Sequence, residues 1–285
     1  MRILVTGSQG YIGSVLVPAL RQAGHTVVGL DSGFFADCLF GSDLQEDGEL
    51  LNVDVRDVRQ SDLNGFDAVV HLAALSNDPL GNLDPQLTTE INFEASLRLA
   101  RLAKQAGVER FVFSSSCSSY GAGGATLLDE EAPCFPVAPY AESKVRTDAE
   151  LGKLADDRFS PVSMRNATAY GLSPRLRLDL VLNDFVAAAC ATGCVSIKSD
   201  GLAWRPVVHV EDICLAMLAV IEAPRSAIHN QAFNVGRTDE NFQIRDLADV
   251  VARTVPACRV EYASGGTSDP RCYRVNCDKL LRVLP

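Results

Sequence analysis

The sequence predicts an α/β protein built on a doubly wound parallel sheet, followed by a smaller α/β domain towards the C-terminus. Three observations carry this. Short runs of Val, Ile, Leu and Phe alternate with segments of helical periodicity through the first half of the chain. The runs are nearly continuous in apolar residues rather than alternating, as strands covered on both faces should be. A glycine-rich turn, TGSQGYIG, stands between the first run and the first helical segment.

The elements follow in order: a strand at RILVTG, a helix over 11–23, strands at TVVGLD and within FDAVVHLAAL, a helix over 84–106, and a strand at RFVFSSS. In the 84–106 segment Ile91, Ala95, Leu99, Leu102, Ala103 and Ala106 recur near helical spacing, and Gly107 sits where a helix stops. This βαβ series makes the sheet one of Rossmann type. Beyond about residue 165 the pattern loosens into a polar loop, GLSPRLRLDL, a helix over 179–191 and further short elements. The expected division is a dinucleotide-binding domain over 1–165, with 205–236 returning to it, and a substrate-binding domain from 166–204 and 237–285. No low-complexity linker separates them, so they pack closely.

The chain has 285 residues, 47% of them apolar, and a net charge of -10. No apolar run is long enough to span a membrane, and MRILVTG enters a strand directly with no leader, so a cytoplasmic protein is expected. The acidic balance opposes a nucleic-acid surface and leaves any anionic ligand to a few local arginines. The nine cysteines are scattered without C-x-x-C spacing and are expected as free buried thiols. His25, His71, His209 and His229 lack a carboxylate or cysteine at ligand spacing, so they read as structural and no metal is expected.

Two motifs carry chemistry. In TGSQGYIG, Gly7, Gly10 and Gly13 allow a tight turn and close approach of a pyrophosphate to a helix N-terminus. Asp31 ends the next strand, where a carboxylate hydrogen-bonds the ribose hydroxyls of NAD; no Lys or Arg between Asp31 and Asp37 favours NADP. In YAESK, Tyr140 and Lys144 are four apart and share a helix face, so the ammonium favours the phenolate. That moves the tyrosine towards acid–base work near neutral pH.

With these pieces in order, the chain resembles the extended short-chain dehydrogenase/reductases, within them the NAD-dependent epimerase/dehydratase family acting on nucleotide-sugars. The matching stretches are TGSQGYIG, Asp31, NVDVRD, HLAAL, INFEAS, FVFSSSCSSYG, YAESK, RNATAYG, WRPVVHVEDI, FNVG and DPRCY. The resemblance implies a catalytic set of Ser116, Tyr140 and Lys144, with Ser116 hydrogen-bonding the sugar oxygen. It implies NAD contacts at Gly7, Gly10, Tyr11, Ile12, Gly13, Asp31, Ser32, Asp54, Val55, Leu72, Ala73, Ala74, Ser114, Tyr140 and Lys144. Asn92 is implied as a conformational support there. It places Ser76, Ser116, Thr168, Asn183, Arg205 and Arg271 at the nucleotide-sugar, with Arg274 an alternative to Arg271. It also implies a homodimer, formed by the helix over 84–106 and the helix bearing Tyr140.

The same resemblance narrows the reaction. Its 4,6-dehydratases carry Asp and Glu directly after the catalytic hydroxyl, its decarboxylating branch a Glu at the second position, and its 3,5-epimerising branch a cysteine there. Here Cys117 and Ser118 stand at those positions. Simple hydride chemistry remains, so a nucleotide-sugar 4-epimerase is the first expectation. A 4-ketoreductase or dehydrogenase is the second, and a non-catalytic dinucleotide sensor is an alternative of another class.

Overall fold

A computed structural model describes residues 1–39, 48–76, 78–263 and 268–284, with backbone only for Asp78 and Leu80. Strand β1 (Arg2–Thr6) leads through the glycine turn into α1 (Gly13–Gln22), then β2 (Thr26–Asp31), β3 (Leu50–Asn52) and β4 (Ala68–His71). Helices α2 (Asp78–Leu83), α3 (Pro85–Thr89) and α4 (Ala95–Gln105) precede β5 (Arg110–Ser116) and the short β6 (Leu127–Leu128). Next come α5 (Pro139–Gly152), β7 (Ser160–Asn166), β8 (Thr168–Tyr170), α6 (Val181–Thr192), β9 (Cys194–Ile197) and β10 (Trp204–His209). The chain finishes with α7 (Val210–Glu222), α8 (Arg225–Ile228), β11 (Gln231–Val235), β12 (Asn241–Gln243), α9 (Ile244–Thr254), β13 (Arg259–Tyr262), β14 (Arg274–Val275) and α10 (Asp278–Val283).

The large sheet has seven parallel strands in the order β11-β7-β5-β4-β1-β2-β3. Chain order reverses at β1, and the crevice beyond the carboxyl ends of strands at such a reversal is where ligands bind in open α/β sheets. The uninterrupted apolar runs follow from double coverage. Ile3 and Val5 of β1 pack with α1 and α7 through Leu16, Leu20, Ile213 and Met217. Leu4, between them, faces the opposite layer with Phe111, Phe113 and Leu99. Successive strand side chains point to opposite faces, so a strand buried on both has no polar position to spare.

β10 pairs with β12 and β8, and β9 pairs with β13, around Phe185, Val195, Ile197, Leu247 and Val251. Of the stretch expected to return to the first domain, β11 joins the large sheet beside β7, whereas β10 joins the small sheet. The segment 237–285 includes 264–267 and 285, which lie outside the described residues.

Several elements differ from expectation. Residues 11 and 12 stay in the turn, so α1 begins at Gly13. The 84–106 segment is helical, but a π-helical turn at Glu90–Glu94 separates α3 from α4. Asn92 lies in that turn, fully buried, and its side chain accepts from Leu75 N at 2.8 Å and donates to Leu75 O at 2.9 Å. A side chain that must satisfy both backbone groups of a neighbouring loop is a sufficient reason for the extra residue in the turn. The cysteines are free, but only Cys117, Cys214 and Cys277 are buried, and Cys38 and Cys190 are exposed. His71 is buried between Thr6 Oγ1 and Ser96 Oγ, each at 2.7 Å, and burial pushes its pKa down to about 3, so the ring stays neutral. Among the described residues no helix is long and apolar enough to cross a membrane, and no group of three or more His, Cys, Asp or Glu is placed to hold a metal ion.

Candidate active site

The carboxyl ends of β1, β4, β5 and β7 open into a cleft of about 980 Å³. Its walls include the glycine turn, Asp31, Ser32, Asp54, Val55, Leu72, Ala73, Ala74 and Ser76 on one side. Ser114, Ser116, Tyr140, Lys144, Thr168, Arg205 and Arg271 complete it on the other. Two residues expected at the site stand apart from the lining. Asn92 works behind it, as described above. Asn183, expected at the diphosphate, accepts from Gly171 N at 3.0 Å and donates to Arg177 O at 3.0 Å. Its amide is spent on fixing the 171–177 loop.

The glycine turn is shaped by sterics. Gly7 has φ +71°, and a Cβ there would come within 2.8 Å of Ala73 N; a Cβ on Gly13 would lie 2.2 Å from Gly7 O. Neither position admits a larger residue without moving backbone. Ile12 precedes α1 with no side-chain cap, so no side chain satisfies the first-turn amides of this helix. Ser14, Val15 and Leu16 N donate to the carbonyls of Gly10 and Ile12, and the positive end of the helix above this tightly folded turn fits a pyrophosphate. Asp31 supplies the second half of a dinucleotide site: its two oxygens accept from Gln9 N and Gly33 N, each at 3.0 Å, which fixes the carboxylate beside the turn. These residues fit NAD.

The turn is also tied to the loop at Gly171 and Ser173. Tyr11 donates to Gly171 O at 2.8 Å, and Ser173 Oγ donates to Tyr11 O at 2.8 Å. Arg175 stacks over Phe35 at 4.5 Å. Burial raises the Tyr11 pKa, so this phenol remains a donor.

At the other end of the cleft, α5 delivers Tyr140 and Lys144. Pro139 at its first position suits a helix start, where no amide partner is missed. Lys144 is 2% exposed, donates to Ser114 O at 2.7 Å, and lies over the rings of Phe113 (4.5 Å) and Tyr140 (5.6 Å). Burial pushes its pKa down to about 8, with Asp148 opposing the shift. An ammonium held over the phenol stabilises the phenolate. Ser116 Oγ accepts from Ser118 N at 3.1 Å and hydrogen-bonds Ser118 Oγ at 2.9 Å. Cys117 turns away into the core, its thiol donating to Arg165 O, and burial holds it protonated. It packs with Tyr120, Tyr273, Val275 and Cys277.

The basic end of the cleft holds Arg205 and Arg271 on one carboxylate. Asp269 accepts from Arg205 Nη2 at 2.8 Å and from Arg271 Nε and Nη2 at 2.9 Å each. Burial would raise the Asp269 pKa, but these two guanidinium partners lower it further. Arg274 lies outside the lining, over the Trp204 ring at 4.7 Å. Arg177 reaches across the cleft to Ser76 Oγ at 2.9 Å while paired with Asp179. Sequence reading missed Asp269 and Arg177. Neither was singled out, although DPRCY does place an acid two residues before Arg271.

Comparison with known proteins agrees with this geometry. The family model described as "NAD dependent epimerase/dehydratase family" matches residues 3–236. The chain is 33% identical over 269 residues to a UDP-glucose 4-epimerase of Mycolicibacterium smegmatis, covering 90% of this chain and 83% of that protein. It is 27% identical to UDP-glucuronic acid decarboxylase 2 of Arabidopsis thaliana, covering 100% of this chain and 64% of the other. Among solved structures, MoeE5 in complex with UDP-glucuronic acid and NAD superposes with a TM-score of 0.85 at 27% identity, covering 100% of this chain and 92% of that one.

Proposed function

The chain belongs to the NAD-dependent epimerase/dehydratase family, and on that premise we propose that it is a nucleotide-sugar epimerase that inverts C4 through a transient 4-keto sugar. It is an NAD-dependent enzyme of the extended short-chain dehydrogenase/reductase type, with relatives that include epimerases and decarboxylases. The observation that carries the finer reading is the pairing of Ser116 with Ser118, hydroxyl to hydroxyl at 2.9 Å, with Cys117 packed in the core. Elimination of water needs an added acid and base beside the reacting sugar. A serine in hydrogen-bond contact with Ser116 supplies neither.

In this reading Ser116 donates a hydrogen bond to the C4 oxygen and Tyr140 takes the proton from that hydroxyl. The glycine turn and Asp31 would hold NAD, which would supply the acceptor for the C4 hydrogen as hydride and its return. Lys144 keeps the phenolate accessible by its charge and anchors the end of β5 through Ser114 O. Once the keto sugar has turned over in the cleft and presents its other face for the returning hydrogen, Tyr140 gives the proton back to the C4 oxygen. Arg205 and Arg271 hold the diphosphate, a role suited to guanidinium forks. A substrate diphosphate would then take the place that Asp269 holds between them. A homodimer through α4 and α5, which pack side by side, is part of the proposal, and light scattering tests it. Incubation with a panel of UDP-, dTDP-, GDP- and CDP-hexoses, read by NMR, tests the reaction: C4 inversion without net NADH is expected, and stoichiometric NADH consumption with a keto sugar overturns it.

A further inference from the structure

Asp148 has no role in the chemistry above, yet it stands directly behind it. Tyr140, Lys144 and Asp148 follow one another at intervals of four along α5, so they share one face of the helix. The Asp148 side chain is 9% exposed. Its Oδ2 accepts from Ser115 Oγ at 3.0 Å and from Arg165 Nε at 3.0 Å. Ser115 is the residue between Ser114, whose carbonyl receives Lys144, and Ser116. Asp148 Oδ1 is buried and has no hydrogen-bond partner among the described residues. A buried carboxylate oxygen without a donor is stabilised by nearby positive charge or not at all.

We propose that Asp148 is a positioning residue for the proposed reaction: its carboxylate holds the end of β5 through Ser115 and sets a negative charge one helical turn beyond Lys144, behind Tyr140. The inference rests on Tyr140 and Lys144 being the acid–base pair. Other titratable groups around Lys144 do not supply the charge. Tyr140 on the same helix is the group being activated. His71 on β4 is kept neutral by burial. β5 presents only the Phe113 ring and the Ser114 carbonyl. Arg165 on β7 is itself cationic and pairs with Asp148 at 3.0 Å. Burial alone would lower the Lys144 pKa further, and Asp148 is the charge that raises it. An ion pair that only fastened α5 to β7 would have no such effect on Lys144.

The test reads Lys144 directly. The chain's lysines are Lys104, Lys144, Lys153, Lys198 and Lys279, few enough for [ε-13C]lysine NMR of the NAD-loaded protein, with Lys144→Met identifying the resonance. In Asp148→Asn the Lys144 titration midpoint is expected to fall by about one pH unit, within the range for loss of a close opposite charge. The alkaline limb of kcat should fall with it, and Asp148→Glu should restore both. A midpoint that stays in place overturns the proposal. If Asp148→Asn does not fold, because it leaves Arg165 without its counter-charge, Arg165→Gln is compared with Arg165→Gln/Asp148→Asn. The double variant should titrate lower, and coincident midpoints overturn the proposal equally. The NMR arm does not depend on turnover. A protein inert towards every nucleotide sugar defeats the acid–base reading while the midpoint still decides the role of Asp148.

Discussion

Ser118 Oγ lies 2.9 Å from Ser116 Oγ, and Ser118 N donates to the same oxygen. Ser116 therefore has its orientation set from within its own turn. Ser116→Ala is expected to lower kcat by about 10²-fold, in the range of an acid–base or oxyanion contact. Ser118→Ala keeps the backbone donor and is expected to cost less than tenfold. Steady-state kinetics on the two variants checks the ordering.

Tyr140→Phe removes the proposed acid–base group and leaves the ring. We expect kcat to fall by about 10²–10⁴-fold, with bound NAD unchanged on release from denatured protein. Full activity in this variant would favour the sensor reading.

Lys144 should trade stability for activity. Its pKa in the fold is about 8 against an ordinary 10.5, so between those values the unfolded state binds more protons than the fold. The contribution of this group to stability is therefore unfavourable below about pH 8 and is relieved as pH rises towards 10.5. Lys144→Met, which takes a charge out of an apolar site, is expected to melt at or above the wild-type temperature at pH 7 while losing activity. Calorimetry at pH 7 and pH 10 checks both the gain and its shrinkage at high pH.

Asp31 anchors the glycine turn through Gln9 N and orders its own loop through Gly33 N. Asp31→Ala is expected to weaken NAD binding by roughly 10–100-fold, the scale of hydrogen bonds to a charged group. It should also narrow the preference for NAD over NADP. Titration calorimetry with both dinucleotides on the stripped protein measures this.

How far the sequence carried depends on the distance over which each feature is set. The turn at Gly7, Gly10 and Gly13 was legible because its spacing is local and the exclusions at Gly10 and Gly13 come from Gly7 and Ser8, whereas the close approach of Ala73 to Gly7 was not. Tyr140 and Lys144 were legible for the same reason, being one helical turn apart. The contacts of Asn183 with Gly171 N and Arg177 O were not legible, because they lie in a loop whose path depends on the packing of Tyr11 and Ser173. Asp269 was overlooked because a carboxylate beside an arginine in sequence reads as solvated, and its second partner, Arg205, is 64 residues away. The π-helical turn at Asn92 could not be read from periodicity, since the apolar face of 84–106 runs through it.

The central claim is that hydrogen leaves and returns at one carbon, C4, with no proton exchanged at any other. The most direct measurement is turnover of UDP-glucose in D₂O, followed by proton and carbon NMR of the recovered sugar. The account predicts inversion at C4 with no deuterium on carbon and all six carbons retained. Deuterium at C5 or C6, loss of the C6 oxygen, or loss of a carbon as CO₂ would contradict it.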